Sequence, residues 1–241
     1  MRQVPHYIII GSGRMAQHMR CYLDLLSLPY HTWSRQGNTE QELESLVLSQ
    51  LNQSNSSILL LLKDSVISDF IERHPFLKTK KLIHFSGQLS VPGVFSAHPL
   101  MTFIPTLYSL EIYQKIPFIL SEDSPDLTEL LPGLPNSFYR ISEAQRSYYH
   151  ALCAMSGNFT TLLWQKFFKE MEERFHLPKE VGHPFLQQIM SNLLQDAERA
   201  LTGPLARGDN TTLTAHEKAL EGDAYQKIYQ AFVRAYEHSR L

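Results

Sequence analysis

Near its start the chain runs Tyr7-Ile8-Ile9-Ile10 directly into Gly11-Ser12-Gly13-Arg14-Met15-Ala16. Four apolar residues followed by GxGxxA fit a buried strand that turns sharply into a helix. Gly11 permits the tight turn, and Gly13 lets the backbone approach a bulky anion. Ala16 is small enough for the helix to pack on the strand. The helix N-terminus then offers unpaired N–H groups and the positive end of its dipole. Gly11, Ser12, Gly13, Arg14, Met15 and Ala16 are therefore expected to cradle the pyrophosphate of a dinucleotide.

The next apolar run, Tyr30-His31-Thr32-Trp33, meets Ser34-Arg35-Gln36. In a βαβ unit this second strand ends beside the adenosine ribose. An NAD site usually places Asp or Glu there, roughly 20 residues beyond the glycines, to bind the 2′-hydroxyl. Here Ser34 and Arg35 stand in that place. A guanidinium suits a 2′-phosphate because its planar fork matches phosphate oxygens, and Arg14 offers a second positive charge. The missing carboxylate points to NADP as the cofactor; the alternative is that Arg35 is a solvated loop residue.

The chain has 241 residues, 43% hydrophobic and 19% charged, with a formal net charge of −2. No basic block or aromatic-basic interleaving marks a nucleic-acid surface. The strongest apolar run, Ile58 to Leu62, has the length of a strand and not of a membrane span. The start of the chain flows into the glycine motif and reads as structural, not as a signal peptide. Cys21 and Cys153 fall on predicted helices without metal spacing, which fits two free thiols in a cytoplasmic protein. No histidine pairs with another at HxxxH spacing beside a carboxylate, so no metal is expected.

Up to about residue 140, short apolar runs alternate with helical stretches, the pattern of a parallel sheet covered by helices. Strands are expected near 7–10, 30–33, 57–62, 81–84, 94–97, 116–120 and 137–140. Helices fit at 14–27, 39–50, 64–73 and 124–131. Asp64 can cap the third of these, or contact the nicotinamide ribose from the end of its strand. From Ser142 onward, long 3.6-period stretches take over, at 143–175, 179–201, 211–219 and 222–238. The fold class is α/β: a Rossmann-type doubly wound sheet over 1–140, then an all-helical domain over 141–241.

Three polar segments and one helical stripe are candidates for chemistry. His84-Phe85-Ser86-Gly87-Gln88 lies at the carboxyl end of the fourth strand, where ligands of open α/β sheets bind. Ser96-Ala97-His98-Pro99-Leu100 lies at another strand end, and Pro99 biases His98 away from helical geometry. For either histidine the alternative is a hydrogen-bonded ring at a strand end. In the helical half, Thr202 to Asp209 carries Arg207, which can hold a substrate carboxylate or pair with Asp209, itself a possible cap. His150, Ala154 and Asn158, spaced i, i+4, i+8, place an imidazole and a carboxamide on one helical stripe. Gly157 beside them fits close helix packing.

Together, Gly-Ser-Gly-Arg-Met-Ala, His-Phe-Ser-Gly, Ser-Ala-His-Pro-Leu and Ala-Leu-Thr-Gly-Pro-Leu-Ala-Arg-Gly-Asp resemble one family over nearly the whole chain. It is that of Rossmann-like predicted NADP-dependent oxidoreductases with a C-terminal domain of unknown function, and Thr202–Asp209 with His216 is the most specific part. The architecture is similar to pyrroline-5-carboxylate reductase, ketopantoate reductase, β-hydroxyacid dehydrogenases and prephenate dehydrogenase. The resemblance implies a helical domain of the 6-phosphogluconate-dehydrogenase C-terminal type, supplying substrate contacts and a homodimer interface. It also parallels His98 and Ser86 with the histidine and upstream serine of prephenate dehydrogenases. β-Hydroxyacid dehydrogenases place a lysine one turn before an asparagine; this chain has Asn158 but Ala154 in the lysine's position.

The expected function is hydride transfer between NADP and a small, carboxylate-bearing keto, imino or hydroxy substrate. His98 is expected to act as general acid/base, since imidazole titrates near neutral pH. Ser86 and His84 would orient it or the substrate oxygen, with His150, Asn158 and Arg207 contacting substrate from the helical side. The alternatives are a dinucleotide-binding sensor or scaffold without catalysis, and a reductase with a second cofactor such as a deazaflavin. No nucleic acid and no membrane partner is expected.

Overall fold

A computed structural model of the chain describes residues 5–49 and 56–239. They form two compact units, Met1–Leu162 and Leu163–Leu241. The first is built on a seven-stranded sheet of β1 (His6–Ile10), β2 (Tyr30–Trp33), β3 (Ser56–Leu60), β4 (Leu82–His84), β5 (Phe95–Pro99), β6 (Phe118–Ser121) and β7 (Phe138–Ile141). Its spatial order is β2-β1-β3-β4-β5-β6-β7. All seven expected strands are present.

Strand β1 is an interior strand, next to the β2 edge, and all five of its residues are buried. Tyr7 and Ile9 enter one apolar layer; Ile8 and Ile10 enter the other. That period-2 division, with both faces covered, is why the run reads as continuously hydrophobic. One layer is closed by α1 (Arg14–Leu25), α4 (Leu110–Lys115) and α5 (Leu127–Leu130) through Met19, Leu23, Tyr113 and Leu127. The other is closed by α2 (Glu40–Ser49) and α3 (Asp64–Arg73) through Leu43, Val47, Ile67 and Phe70. The last residue of the expected helix 39–50 lies outside the described residues.

The sheet is not parallel throughout. β1 to β5 run parallel, β6 pairs with β5 antiparallel, and β7 runs parallel to β6. The segment between β5 and β6 holds the six-residue α4, and the chain re-enters the sheet reversed, with Pro99 opposite Phe118.

Helix α6 (Arg146–Cys153) follows β7 through a capping box in which Ser142 and Gln145 satisfy each other's backbone. It continues through a π-helical stretch, Ala154–Phe159, into α7 (Thr160–Glu173). Arg146 is buried against the sheet, so α6 belongs to the first unit and the division falls at 162/163 instead of 140. From Ala154 the helix bonds i→i+5, and Asn158 is exposed on that stretch.

The second unit comprises most of α7, then α8 (His183–Gln195), α9 (Gly203–Arg207), α10 (Asn210–Ala219) and α11 (Gln226–Ser239). Gly203 and Pro204 open a short helix; Gly208 ends it in the left-handed region at φ 68°, a usual helix stop. Asp209 caps α10 by accepting the Thr212 N–H at 3.1 Å, as one reading of the sequence expects. Of the described residues in this unit, only Gly182 and Leu213 are buried. No helix among the described residues is long and apolar enough to cross a membrane.

Gly11 is the tightest point of the first unit. Its φ is +133°, and a Cβ there would stand 2.2 Å from the Leu61 carbonyl oxygen. A Cβ on Gly13 would meet nothing within 4 Å. Gly11→Ala is therefore expected to destabilise the protein by at least about 2 kcal/mol, while Gly13→Ala changes stability by less than about 0.5 kcal/mol. Urea unfolding of both variants checks this; equal midpoints would contradict it.

Candidate active site

The strand order reverses direction between β1 and β3, and in open α/β sheets ligands bind in the crevice at such a switch point. Here the crevice is a solvent-open cleft of about 260 Å³. Gly13, Arg14 and Met15 line it from the first helix, Leu61 to Asp64 from the end of β3, and Phe85 and Ser86 from the end of β4.

Gly13 is the N-cap of α1, with no side chain capping the helix and no acidic residue in its first turn. The first backbone N–H groups are thus left for an external acceptor, and the empty space over Gly13 admits one closely. These features fit the phosphates of a dinucleotide. Ser12 is exposed at the crest of the turn, and Ala16 is fully buried against the sheet. Arg14 turns its guanidinium onto the following loop, donating to the Phe103 carbonyl at 3.1 Å. At the end of β2, the Ser34 carbonyl accepts the N–H groups of Gly37 and Asn38 and fixes a turn on which Arg35 is exposed.

Asp64 departs from its expected role as a cap. Lys63 occupies the N-cap and Asp64 is the first helical residue, with its carboxylate accepting the Ser86 hydroxyl. The Ser86 oxygen in turn accepts the backbone N–H groups of Leu89 at 3.0 Å and Gln88 at 3.3 Å. The serine proton is committed to Asp64, so Ser86 holds a carboxylate at the cleft wall. Asp64 keeps acceptor capacity to spare.

His84 lies beneath this turn with no exposed surface. Its Nδ1 accepts the Ser86 N–H at 3.3 Å, and its Nε2 has no partner among the described residues. Burial first, and then the nearby Arg146 cation, push its pKa down to about 4. It is a neutral interior ring with no path to a ligand, not the substrate-orienting group expected.

His98 is half-buried at the end of β5, with Nδ1 2.8 Å from the Tyr149 hydroxyl. Tyr149 and His150 both stand edge-on to it, at centroid distances of 5.6 and 6.0 Å. Burial, followed by His150 and Arg146, pushes its pKa down to about 4. The ring therefore stays unprotonated well below neutral pH, where an ordinary imidazole would charge. The turn meets both histidines at Gly87, where a Cβ would lie 2.4 Å from His150 Cδ2 and 3.2 Å from His98 Cδ2.

The fold thus brings Asp64, Ser86, His84, His98 and His150 together, beside the glycine turn. Arg35 stands apart at the end of β2, and Asn158 is exposed on the π-helical stretch. Arg207 belongs to the second unit, where its charge helps to hold the Asp209 carboxyl below the usual range after the bonds from Thr212. Sequence reasoning missed Tyr149 as a partner of His98 and missed Arg146 entirely. A lone arginine at a helix start carries no motif; only the three strands around it reveal its place.

Residues 120–236 match the family model described as a domain of unknown function, DUF2520. No curated protein matches the chain. Among solved structures, BF3122 from Bacteroides fragilis, provisionally designated an NADP oxidoreductase, aligns with a TM-score of 0.73 at 19% identity over 98% of this chain and 99% of that one. Protein TM1727 from Thermotoga maritima aligns at 0.65 and 21% identity, covering 96% and 97%. The imine reductase from Myxococcus stipitatus, solved in complex with NADP+, aligns at 0.60 and 14% identity, covering 98% and 94%. The chain has the Rossmann-like fold found in these proteins, and its stretch 120–236 is similar to the DUF2520 domain.

Both histidines have folded pKa values below their unfolded value of 6.5, so the folded state binds fewer protons between the two. Stability is then complete above about pH 6.5 and is lost as pH falls toward 4, by up to about 3 kcal/mol per ring. Urea unfolding at pH 7 and pH 5 should show this loss, and His84→Gln should flatten it. A wild-type stability independent of pH in that window would refute the assignment.

Proposed function

We propose that the chain is an NADP-dependent oxidoreductase that moves a hydride between the nicotinamide and a small, carboxylate-bearing keto, imino or hydroxy substrate. One observation carries the reading: the uncapped start of α1 and the Asp64–Ser86 pair face one cleft at the switch point of the sheet. Solved structures of the same fold that hold NADP, such as the Myxococcus imine reductase, support it. In this reading the bound cofactor supplies the hydride chemistry. Gly13 and the first turn of α1 hold its phosphates, Arg35 the 2′-phosphate, and Asp64 a hydroxyl of the nicotinamide ribose.

His98 handles the proton. Its neutral state at pH 7 suits acceptance of a proton from a hydroxyl being oxidised. The tautomer whose Nδ1–H donates to Tyr149 leaves the Nε2 lone pair free for this; it is assigned from the role, since hydrogens are not observed. His150 stands beside it as a substrate contact.

The chain is further proposed to be a cytoplasmic homodimer joined through its second unit. Helices α7 and α8 bury none of their residues, and Phe175, Phe185, Leu194 and Phe232 are all at least half exposed. Apolar surface on that scale is rare on soluble monomers.

NADPH is expected to bind more tightly than NADH, and Arg35→Ala to weaken NADPH alone by roughly tenfold. Calorimetry reads both constants; binding of neither nucleotide would overturn the enzyme reading. Within a panel of keto acids and imines, His98→Ala is expected to slow oxidation of bound NADPH at least about 100-fold, and full turnover would remove His98 from the chemistry. Light scattering should give twice the chain mass of 27.8 kDa, and a monomer would exclude the dimer.

A further inference from the structure

Arg146 is 1% exposed, a charged side chain placed inside the first unit. From Nη2 it donates to the Ser86 carbonyl at 2.9 Å and to the Ser96 hydroxyl; from Nη1 it donates to the Ser121 hydroxyl at 3.3 Å. Those partners lie on the turn after β4, on β5 and on β6. Ser121 passes its own proton to Glu143, so a hydroxyl stands between the buried cation and the nearest carboxylate it is linked to. The Nε–H has no partner among the described residues. Burying a cation without a direct counter-ion is unfavourable, and an apolar side chain of similar volume would serve packing better. The residue therefore does something that packing does not.

We infer that Arg146 is a positioning residue for the proposed hydride-transfer site: a buried cation that clamps the Ser86–Gly87 turn against β5 and sets the charge state of the histidines around it. The inference rests on the reading of that site given above. The geometry is direct, because the carbonyl that Arg146 grips precedes Gly87, whose Cα faces His150 and His98. The groups facing His98 are Tyr149, His150 and Arg146 from α6 and Asp64 from α3; those facing His84 are Arg146, Asp64 and Glu143. Of these, Arg146 is the permanent cation, and a nearby cation opposes protonation of either ring. Burial, and with it the Arg146 cation, keeps both rings neutral at pH 7 and leaves the His98 lone pair unprotonated.

The test is NMR titration of the histidine Cε1–H signals in the intact protein, with NADPH binding measured alongside. Wild-type His98 should titrate at about 4. Arg146→Met, uncharged and of similar length, should raise that midpoint by roughly one unit. Arg146→Lys, which keeps the charge, should leave it low. An unchanged midpoint in a folded Arg146→Met, or a wild-type His98 at its ordinary value, would overturn the inference. Should the Met variant not fold, Arg146→Gln takes its place: a raised midpoint supports the role, and an unchanged one refutes it. Absence of NADPH binding in the wild type would instead defeat the cofactor reading and leave the titration interpretable.

Discussion

The first unit depends on one close approach, between the backbone of Gly11 and the carbonyl of Leu61. Any side chain at Gly11 would collide with that carbonyl, so the ends of β1 and β3 can meet only if the residue leaving β1 has none. The meeting is fastened on both sides: the Leu61 N–H donates to the Ile10 carbonyl at 2.8 Å, and the Gly11 N–H to the Trp33 carbonyl at 2.9 Å. Because the backbone is held there, α1 can start immediately and the cleft opens over its first turn. Gly13 then contributes what Gly11 cannot, which is free space above a row of N–H donors. One glycine serves the fold; the other leaves the helix start open.

Across the cleft, the chemistry is set by burial more than by residue type. Two histidines sit at strand ends, and both are held unprotonated. They differ in access: His84 is sealed beneath the turn, while His98 keeps some surface and a hydrogen-bonded tyrosine. Two residues of the turn link these parts, Ser86 reaching Asp64 on one side and Gly87 admitting His150 on the other. A carboxylate with acceptor oxygens to spare and an imidazole that stays neutral can divide the work of binding donors and accepting a proton.

Much of this is legible in the sequence, for identifiable reasons. Strands β1, β3 and β6 announce themselves because buried strands read as short apolar runs, and the glycine spacing declares the turn. Contacts between distant segments do not leave such a trace. Asp64 looks like a cap because local patterns fit one, yet its carboxylate answers to Ser86, 22 positions away. Arg146 has no local signature and acquires its place from β4, β5 and β6 together.

The central claim is that the cleft between the glycine turn and the Asp64–Ser86 pair is the dinucleotide site. Mapping backbone amide shifts on NADPH addition tests it most directly. The account predicts that the largest changes fall on Gly13, Arg14, Met15, Asp64 and Ser86, in a single saturable phase. Changes confined to other residues, or none at all, would contradict it.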